Sequence, residues 1–364
     1  MAKAYLRRQM GEVIKTDIRS LSLAELKEVF VAHGEKAFRG QQVYEWLWKK
    51  SCTDFDAMSN LSNDLRNWLK QTFLIHPILV EDKQISNDGT IKSGFRLHDG
   101  FLVEGVLIPA DDRQTACVSS QVGCSLTCKF CATGTMERER NLEPAEIYDQ
   151  VVAIRNWAQT HNQAPLTNIV FMGMGEPLLN YANVLKGIEK ITSPEGLGMA
   201  ADRITVSTAG IAKMIKKLAD DEVRFNLALS LHAANDEKRN QIMPINESNN
   251  LKAVGEALQY FCKKTRKRVT FEYIAFKNFN DSLQDAKELL AFAKNIPCKV
   301  NVIEYNPTGD GQFEKADSSR IDQFCAFLDR NGIIARVRRS RGKDIDAACG
   351  QLANKKHDNA LMSK

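Results

Sequence analysis

Three cysteines within eight residues, Cys124-Ser-Leu-Thr-Cys128-Lys-Phe-Cys131, carry the most distinctive chemistry in the chain. A C-x3-C-x2-C spacing supplies thiolates to three corners of a 4Fe–4S cube and leaves the fourth iron open to another ligand. Clusters kept for electron storage take four cysteines. Closed structural zinc sites also take four ligands, usually from paired C-x2-C units. Gly123 before the first cysteine and Phe130 before the last suit a tight loop wrapped around a cluster. The plainer alternatives are three ordinary buried cysteines, or a zinc site completed by Cys117 or His232.

The elements that must position this loop follow from the rest of the chain. Its 364 residues suggest about two domains. With 43% hydrophobic and 26% charged residues, it can bury a full core. No apolar run approaches the roughly 18 residues of a membrane span, and the start, Met-Ala-Lys-Ala-Tyr-Leu-Arg-Arg, lacks the apolar stretch of a secretory signal. Nine cysteines without an export signal point to a reducing compartment, so the expected location is cytoplasmic. The net charge is only +5. Its distribution says more: Lys263–Arg268 and Arg336–Lys343 are dense basic runs of the kind that track a phosphate backbone or line a solvated face.

Residues 1–95 read as a small helical module. Ser22 is a plausible N-cap before Glu25, opening a helix with Leu23, Leu26 and Val29. Val43, Trp46 and Leu47 form a second stripe, and Leu61, Leu65 and Leu69 a third. Trp46 and Trp48 are expected in its core. From about 101 the pattern becomes strand, polar loop, helix, repeated. Strand-like runs fall at 101–108, 116–119, 168–172, 203–207, 225–230, 269–274 and 300–305. Helical stretches lie at 143–159, 181–191, 211–219, 249–263, 283–295 and 319–330. Six βα units, preceded by a hairpin strand and followed by 333–337, make an incomplete (β/α)6 version of the eightfold barrel. The expected fold class is therefore α/β, a TIM-like partial barrel over residues 96–354 with the helical module in front and a charged, disordered tail at 355–364.

Barrels of this kind do their chemistry at the carboxyl ends of the strands. Here those ends are polar one after another: the Cys124–Cys131 loop, Gly175-Glu176-Pro177, Ser207-Thr208, Ser230-Leu-His232, Glu272, and Glu304-Tyr-Asn306. Cys349 lies in a Gly- and Asp-flanked segment without apolar periodicity, suiting a mobile loop that reaches this mouth. Cys52, Cys262, Cys298 and Cys325 sit on helix or strand patterns, as packing residues do.

The cluster motif resembles the signature of radical S-adenosylmethionine (SAM) enzymes, in which the open iron chelates SAM. Beyond it, about 330 residues resemble the RlmN/Cfr family of RNA methyltransferases. The resemblance rests on Ala37-Phe-Arg39-Gly-Gln-Gln, Val103-Glu104-Gly-Val106, Cys117-Val-Ser-Ser-Gln-Val-Gly-Cys124, Met172-Gly-Met-Gly-Glu-Pro177, Ser230-Leu-His232 and Asp344-Ile-Asp-Ala-Ala-Cys349-Gly-Gln-Leu. Met136–Asn141 departs from the Gly–aromatic pair that many relatives carry after the cluster loop.

The resemblance implies a 4Fe–4S cluster held by Cys124, Cys128 and Cys131, and two SAM molecules with different fates. One methylates Cys349. The other is cleaved to a 5′-deoxyadenosyl radical that takes hydrogen from that methyl, and the carbon radical adds to carbon 2 of an adenine, which is too electron-poor to attack SAM itself. Cys117 then resolves the covalent protein–RNA adduct, forming a transient disulfide with Cys349. Glu104 matches the proton acceptor. Gly175, Glu176, Ser207, Ser230, Leu231, His232 and Asn306 match SAM contacts. Implied partners are 23S rRNA, tRNA and a low-potential electron donor such as flavodoxin or ferredoxin, with no membrane. The helical module and the basic runs, Arg338 and Arg339 included, are expected to grip RNA. Alternatives from the same residues are an adenine-C8 methyltransferase, another radical SAM activity, and a zinc-dependent RNA-binding module. A Rossmann methylase is disfavoured, since Gly173-Met-Gly175 lacks the third glycine.

Overall fold

The computed structural model describes residues 15–308 and 311–354. The N-terminal start and the tail expected at 355–364 lie outside the described residues. The first helices form as their caps direct. Ser22 and Glu25 close a reciprocal capping box at the start of α1 (Leu23–Ala32), followed by α2 (Ala37–Trp48) and α3 (Asn63–Thr72). Trp48 is fully buried, whereas Trp46 is only partly covered and carries Lys50 over its ring. The module is bolted to the barrel by Arg19, whose Nη1 donates to both oxygens of Asp149 at 2.9 and 2.8 Å, while Nη2 donates to the His76 carbonyl.

Ten strands make one sheet in strictly sequential order: β1 (Leu79–Ile85), β2 (Ile91–Arg96), β3 (Leu102–Ala110), β4 (Arg113–Cys117), β5 (Asn168–Phe171), β6 (Ile204–Thr208), β7 (Asn226–Ser230), β8 (Val269–Ala275), β9 (Cys298–Glu304) and β10 (Ala335–Arg338). The first three pairings are antiparallel, and every pairing from β4 to β10 is parallel. Between parallel strands run α4 (Pro144–Asn162), α5 (Tyr181–Thr192), α6 (Ala212–Asp220), α7 (Asp236–Ile242), α8 (Leu251–Thr265), α9 (Leu283–Ala293) and α10 (Ser318–Arg330). The six expected βα units are all present.

The structure differs from the sequence reading at two places. β1 and all but the last residue of β2 fall inside residues 1–95 yet pair into the barrel sheet through β3, so the helical module gives way to the sheet before residue 79. Their ladder partners, not their own composition, decide where they belong. The second is α7, seven residues whose polar sequence shows little apolar stripe.

No helix among the described residues is long and apolar enough to cross a membrane. Cys262 and Cys325 are buried and Cys52 and Cys298 half-buried, and burial raises all four thiols, as expected of packing cysteines.

Candidate active site

The cluster loop leaves the sheet after β4. Gln121–Val122 pairs antiparallel with Arg140–Asn141, and Glu139 N–H donates to the Val122 carbonyl at 3.0 Å. The Met136–Asn141 stretch therefore backs the loop through its main chain, which tolerates a departure in side chains. Gly123, at φ 71°, presses on this backing: a Cβ there would meet the Glu137 carbonyl oxygen at 1.8 Å. On the other side Lys129 N–H donates to the Ile242 carbonyl at the end of α7. Phe130 packs among Ile274, Phe276 and Met243. The loop is thus pinned from both flanks, with its thiols turned inward.

Cys124, Cys128 and Cys131 line one cleft together with Gly175, Glu176, Ser207, Ser230, His232 and Cys349. Burial raises all three thiols, Cys124 to about 11, with repulsion from neighbouring sulfurs adding to it, from Cys349 in the case of Cys131. Such thiols ionise only against a strongly cationic partner. No three His, Cys, Asp or Glu side chains among the described residues are grouped to hold a single metal ion. Three soft donors around one roomy cleft fit an iron–sulfur cluster, whose irons each take one thiolate. They do not fit a mononuclear zinc site.

The other wall is built by the Met172–Pro177 segment crossing over residues 118–121. Ser119 Oγ donates to the Glu104 carbonyl at 2.6 Å, and Met174 N–H donates to Ser119 Oγ. Gly173 and Gly175 make this crossing possible, because a Cβ at either would fall within 2.7 Å of residues 118–121. Glu176 is buried. Its carboxylate accepts from Ala209 N–H at 2.7 Å and Leu178 N–H at 3.1 Å. Burial nevertheless pushes it up to about 7, against the lowering effect of these donors. Ser207 and Ser230 meet at 3.3 Å between oxygens.

His232 sits at φ 55° with its Nδ1 accepting from Ile274 N–H at 3.1 Å, so the ring proton is on Nε2. Burial, reinforced by Arg239, lowers it to about 3, and the ring stays neutral. It is both a satisfied core histidine and a wall of the cleft. Two expected contacts are placed elsewhere. Leu231 points into the main core, since alternation along the strand end turns it away from Ser230 and His232. Asn306 is buried beside the cleft, donating to Ser340 Oγ at 2.8 Å.

Cys349 arrives on a strap held at three places. Gly350 and Leu352 carbonyls accept from Ala132 N–H and Thr133 Oγ1 on the cluster loop. Asp344 accepts from Ser86 Oγ and Asn87 N–H, while Asp88 in turn accepts from Gly342 N–H. Glu104 Oε2 accepts from Ala353 and Asn354 N–H at 2.8 and 3.3 Å, with Lys92 3.4 Å from Oε1. Glu104 is therefore an anchor of the strap and does not line the cleft. Cys117 is buried near Cys349, and burial pushes its thiol up to about 12.

Sequence reasoning missed two cations here. Arg338, read as an RNA contact, turns inward: it lies 3.6 Å from Glu272 and lines the cleft with Cys349. Interaction with Cys349 is the largest influence on it and raises it. Arg239 is fully buried and donates to the carbonyls of Ala209, Ser230 and Leu231, tying the ends of β6 and β7 together. Strand alternation is a faint signal for the first, and nothing in the sequence signals the second. The run 263–268 joins the end of α8 to the start of β8. It lies at the amino ends of the strands, opposite the mouth, unlike the exposed Arg339.

A partial barrel with a three-thiol loop at its carboxyl face defines a radical SAM enzyme. The comparisons agree: the radical SAM superfamily profile matches residues 118–293, and that of the ribosomal RNA large subunit methyltransferase N-terminal domain matches 16–75. The chain is 67% identical to a probable dual-specificity RNA methyltransferase RlmN of Cytophaga hutchinsonii, covering 94% of each. It is 43% identical to a dual-specificity RNA methyltransferase RlmN of Geotalea uraniireducens, over 93% of this chain and 96% of that one. A crystal structure of a radical SAM methyltransferase from Sphaerobacter thermophilus superposes with TM-score 0.88 at 40% identity, covering 93% and 99%. The chain belongs to the RlmN family, with a 4Fe–4S cluster and SAM as its cofactors.

The state of Glu176 leads to a pH-dependent expectation for the cluster-free protein. Its folded pKa of about 7 lies above the ordinary 4.5, so the fold favours the neutral acid. That contribution, at most about 3 kcal/mol, is complete below pH ~4.5 and lost as pH rises through ~7. Denaturation midpoints of the wild type should fall over this window more steeply than those of Glu176→Gln. Parallel curves would show that Glu176 is ionised throughout.

Proposed function

We propose that this protein methylates carbon 2 of an adenosine in 23S rRNA and in tRNA, with Cys349 as the methyl carrier and Cys124, Cys128 and Cys131 as the three cluster ligands. The observation that carries this reading is the strap holding Cys349 on the wall of the three-thiol cleft, with Cys117 behind it. When bound, the cluster supplies the electron, drawn from a flavodoxin or ferredoxin, that cleaves SAM to a radical able to take hydrogen from a methyl group.

The chain's own residues do the rest. Cys349 takes up a methyl group as a thiolate, on the wall of the cleft that the Arg338 guanidinium also lines. Glu176 and the Ser207–Ser230 pair offer acceptors to the ammonium and hydroxyl groups of SAM. Neutral His232 offers an Nε2–H donor, and Phe130, edge-on to its ring, helps to exclude water. The target base has to leave its stack to reach this depth. Glu104 acts as proton acceptor once the strap releases it, because its Oε2 is otherwise occupied by the amides of Ala353 and Asn354. Cys117 then attacks the Cys349 sulfur, and the methylated base departs as the disulfide forms.

Anaerobically reconstituted protein, incubated with methyl-labelled SAM, a reductant and rRNA or tRNA transcripts, tests this by mass spectrometry. A methyl on the Cys349 peptide with 2-methyladenosine in RNA is expected. 8-Methyladenosine would overturn the regiochemistry, and an unmodified Cys349 the carrier role.

RNA contact at the mouth falls to Arg339, 80% exposed and 3.7 Å from Glu304. Arg339→Glu should weaken RNA binding about tenfold at moderate salt and leave SAM cleavage intact. Unchanged affinity in a filter-binding titration would remove Arg339 from the interface.

A further inference from the structure

An eightfold barrel fills its interior with layers of apolar side chains. The interior here is open and polar. Below the SAM cleft lies a second cavity of about 630 Å³, within the ~300–1,000 Å³ of common small-molecule sites. Its walls are the inward side chains of successive strands, among them Thr115, Asn168, Thr205, Asn226, Thr270 and Asn301. It reaches the amino ends of the strands, where Arg113, Asn168, Asp202, Asn226 and Lys299 line it on the side away from the cluster loop. Cations outnumber carboxylates along it: Arg113, Lys299, Arg336, Arg338, Arg339 and Arg341 against Asp202 and Glu272, the latter 3.6 Å from Arg338. Arg113 and Arg336 pair with Asp112 and Asp329 outside the cavity, whereas Lys299 and Arg341 form no ion pair among the described residues.

The two cavities see the redox cysteines differently. Cys349 lines both, and Cys117 lines only the lower one. A disulfide between them blocks the next methylation of Cys349, so two electrons must reach it after each turnover. From above, the way leads through the SAM cleft and the RNA side. From below, it leads through a positively charged lumen to Cys117.

We infer that the lumen admits a small anionic thiol that reduces a Cys117–Cys349 disulfide from the face opposite the RNA. This rests on the resolving role proposed for Cys117. The external thiolate attacks the Cys117 sulfur, forming a mixed disulfide and expelling Cys349 as a thiolate beside Arg338. A second thiol attacks the external sulfur of that mixed disulfide and expels Cys117, and the two released thiolates regain protons from the two spent thiols through solvent. Two thiols are oxidised to one external disulfide, and the enzyme gains two electrons.

The test uses holoenzyme after one turnover, with the linked Cys117–Cys349 peptide verified by non-reducing mass spectrometry. Release of the two thiols is then timed with glutathione, with neutral dithiothreitol and with a protein dithiol, thioredoxin. In a Lys299→Glu/Arg341→Glu variant, reduction by glutathione should slow by roughly tenfold or more, while dithiothreitol stays within about twofold of wild type. Added salt should slow glutathione on the wild type only. Equal glutathione rates in both proteins, or reduction by thioredoxin alone, would overturn the lumen route. If the linked peptide never forms, the resolving role of Cys117 fails and takes the route with it; that outcome is recognised before any reductant is added.

Discussion

Cys117→Ala is expected to stop turnover with the RNA still attached to the protein. Cys117 is buried, close to Cys349, and has no other evident task at the end of β4. Without it the adduct on Cys349 has no internal thiolate to displace it. A denaturing gel of the reconstituted variant, incubated with SAM, reductant and substrate RNA, should show a slowly migrating protein–RNA band, and free methylated RNA should stay below one equivalent per enzyme. The step upstream is spared: the Cys349 peptide should still become methylated. The alanine removes one sulfur from a site already lined by the strap, so the fold should survive at a cost of about 1 kcal/mol. A gel holding only free protein, from a sample whose cluster still cleaves SAM, would sink the resolving role.

Gly123→Ala should empty the cluster site while leaving the barrel folded. The residue has φ 71°, and its missing Cβ would lie 1.8 Å from the Glu137 carbonyl oxygen and 2.7 Å from its carbon. The positive φ alone costs about 1–2 kcal/mol. The contact adds more, because Glu139 and Arg140 are held by the Gln121–Val122 ladder and cannot back away freely. The strain is relieved by moving the loop that begins at Cys124. Iron content and visible absorbance after reconstitution should drop to a small fraction of wild type, with far-ultraviolet circular dichroism unchanged. Gly198→Ala is the matched control. Its φ is 66° with nothing within 4 Å of the added carbon, so it carries the backbone cost without the clash. It should load iron normally. A Gly123→Ala protein that does the same would show that the loop's position is not set by this contact.

The strap illustrates why parts of the site were illegible from the chain alone. Nothing in the sequence around Asp344, Asp88 or Glu104 shows that they anchor a strap. Their partners stand about 250 residues away in sequence, on the β1–β2 turn for Asp344, at Gly342 before Cys349 for Asp88, and on the segment after Cys349 for Glu104. Arg338 was one cation in a run of surface-like charges until β10 took its place in the sheet. Alternation then turned its side chain inward and left Arg339 outside.

What the sequence by itself determined is local: the three-thiol loop from its spacing, the capping box at Ser22, the six βα repeats, and the polar residues that end each strand. These are signals carried within a few residues, by propensity, by hydrogen bonds to the nearest backbone, or by a chelate that tolerates one spacing. Tertiary structure alone decided that β1 and β2 join the barrel, that Leu231 faces the core and Glu104 the strap, and that a polar lumen reaches Cys117 from below. Each of those depends on which ladder or wall a residue meets after the chain has closed on itself, and a side chain's neighbours across that closure are not written in its own segment.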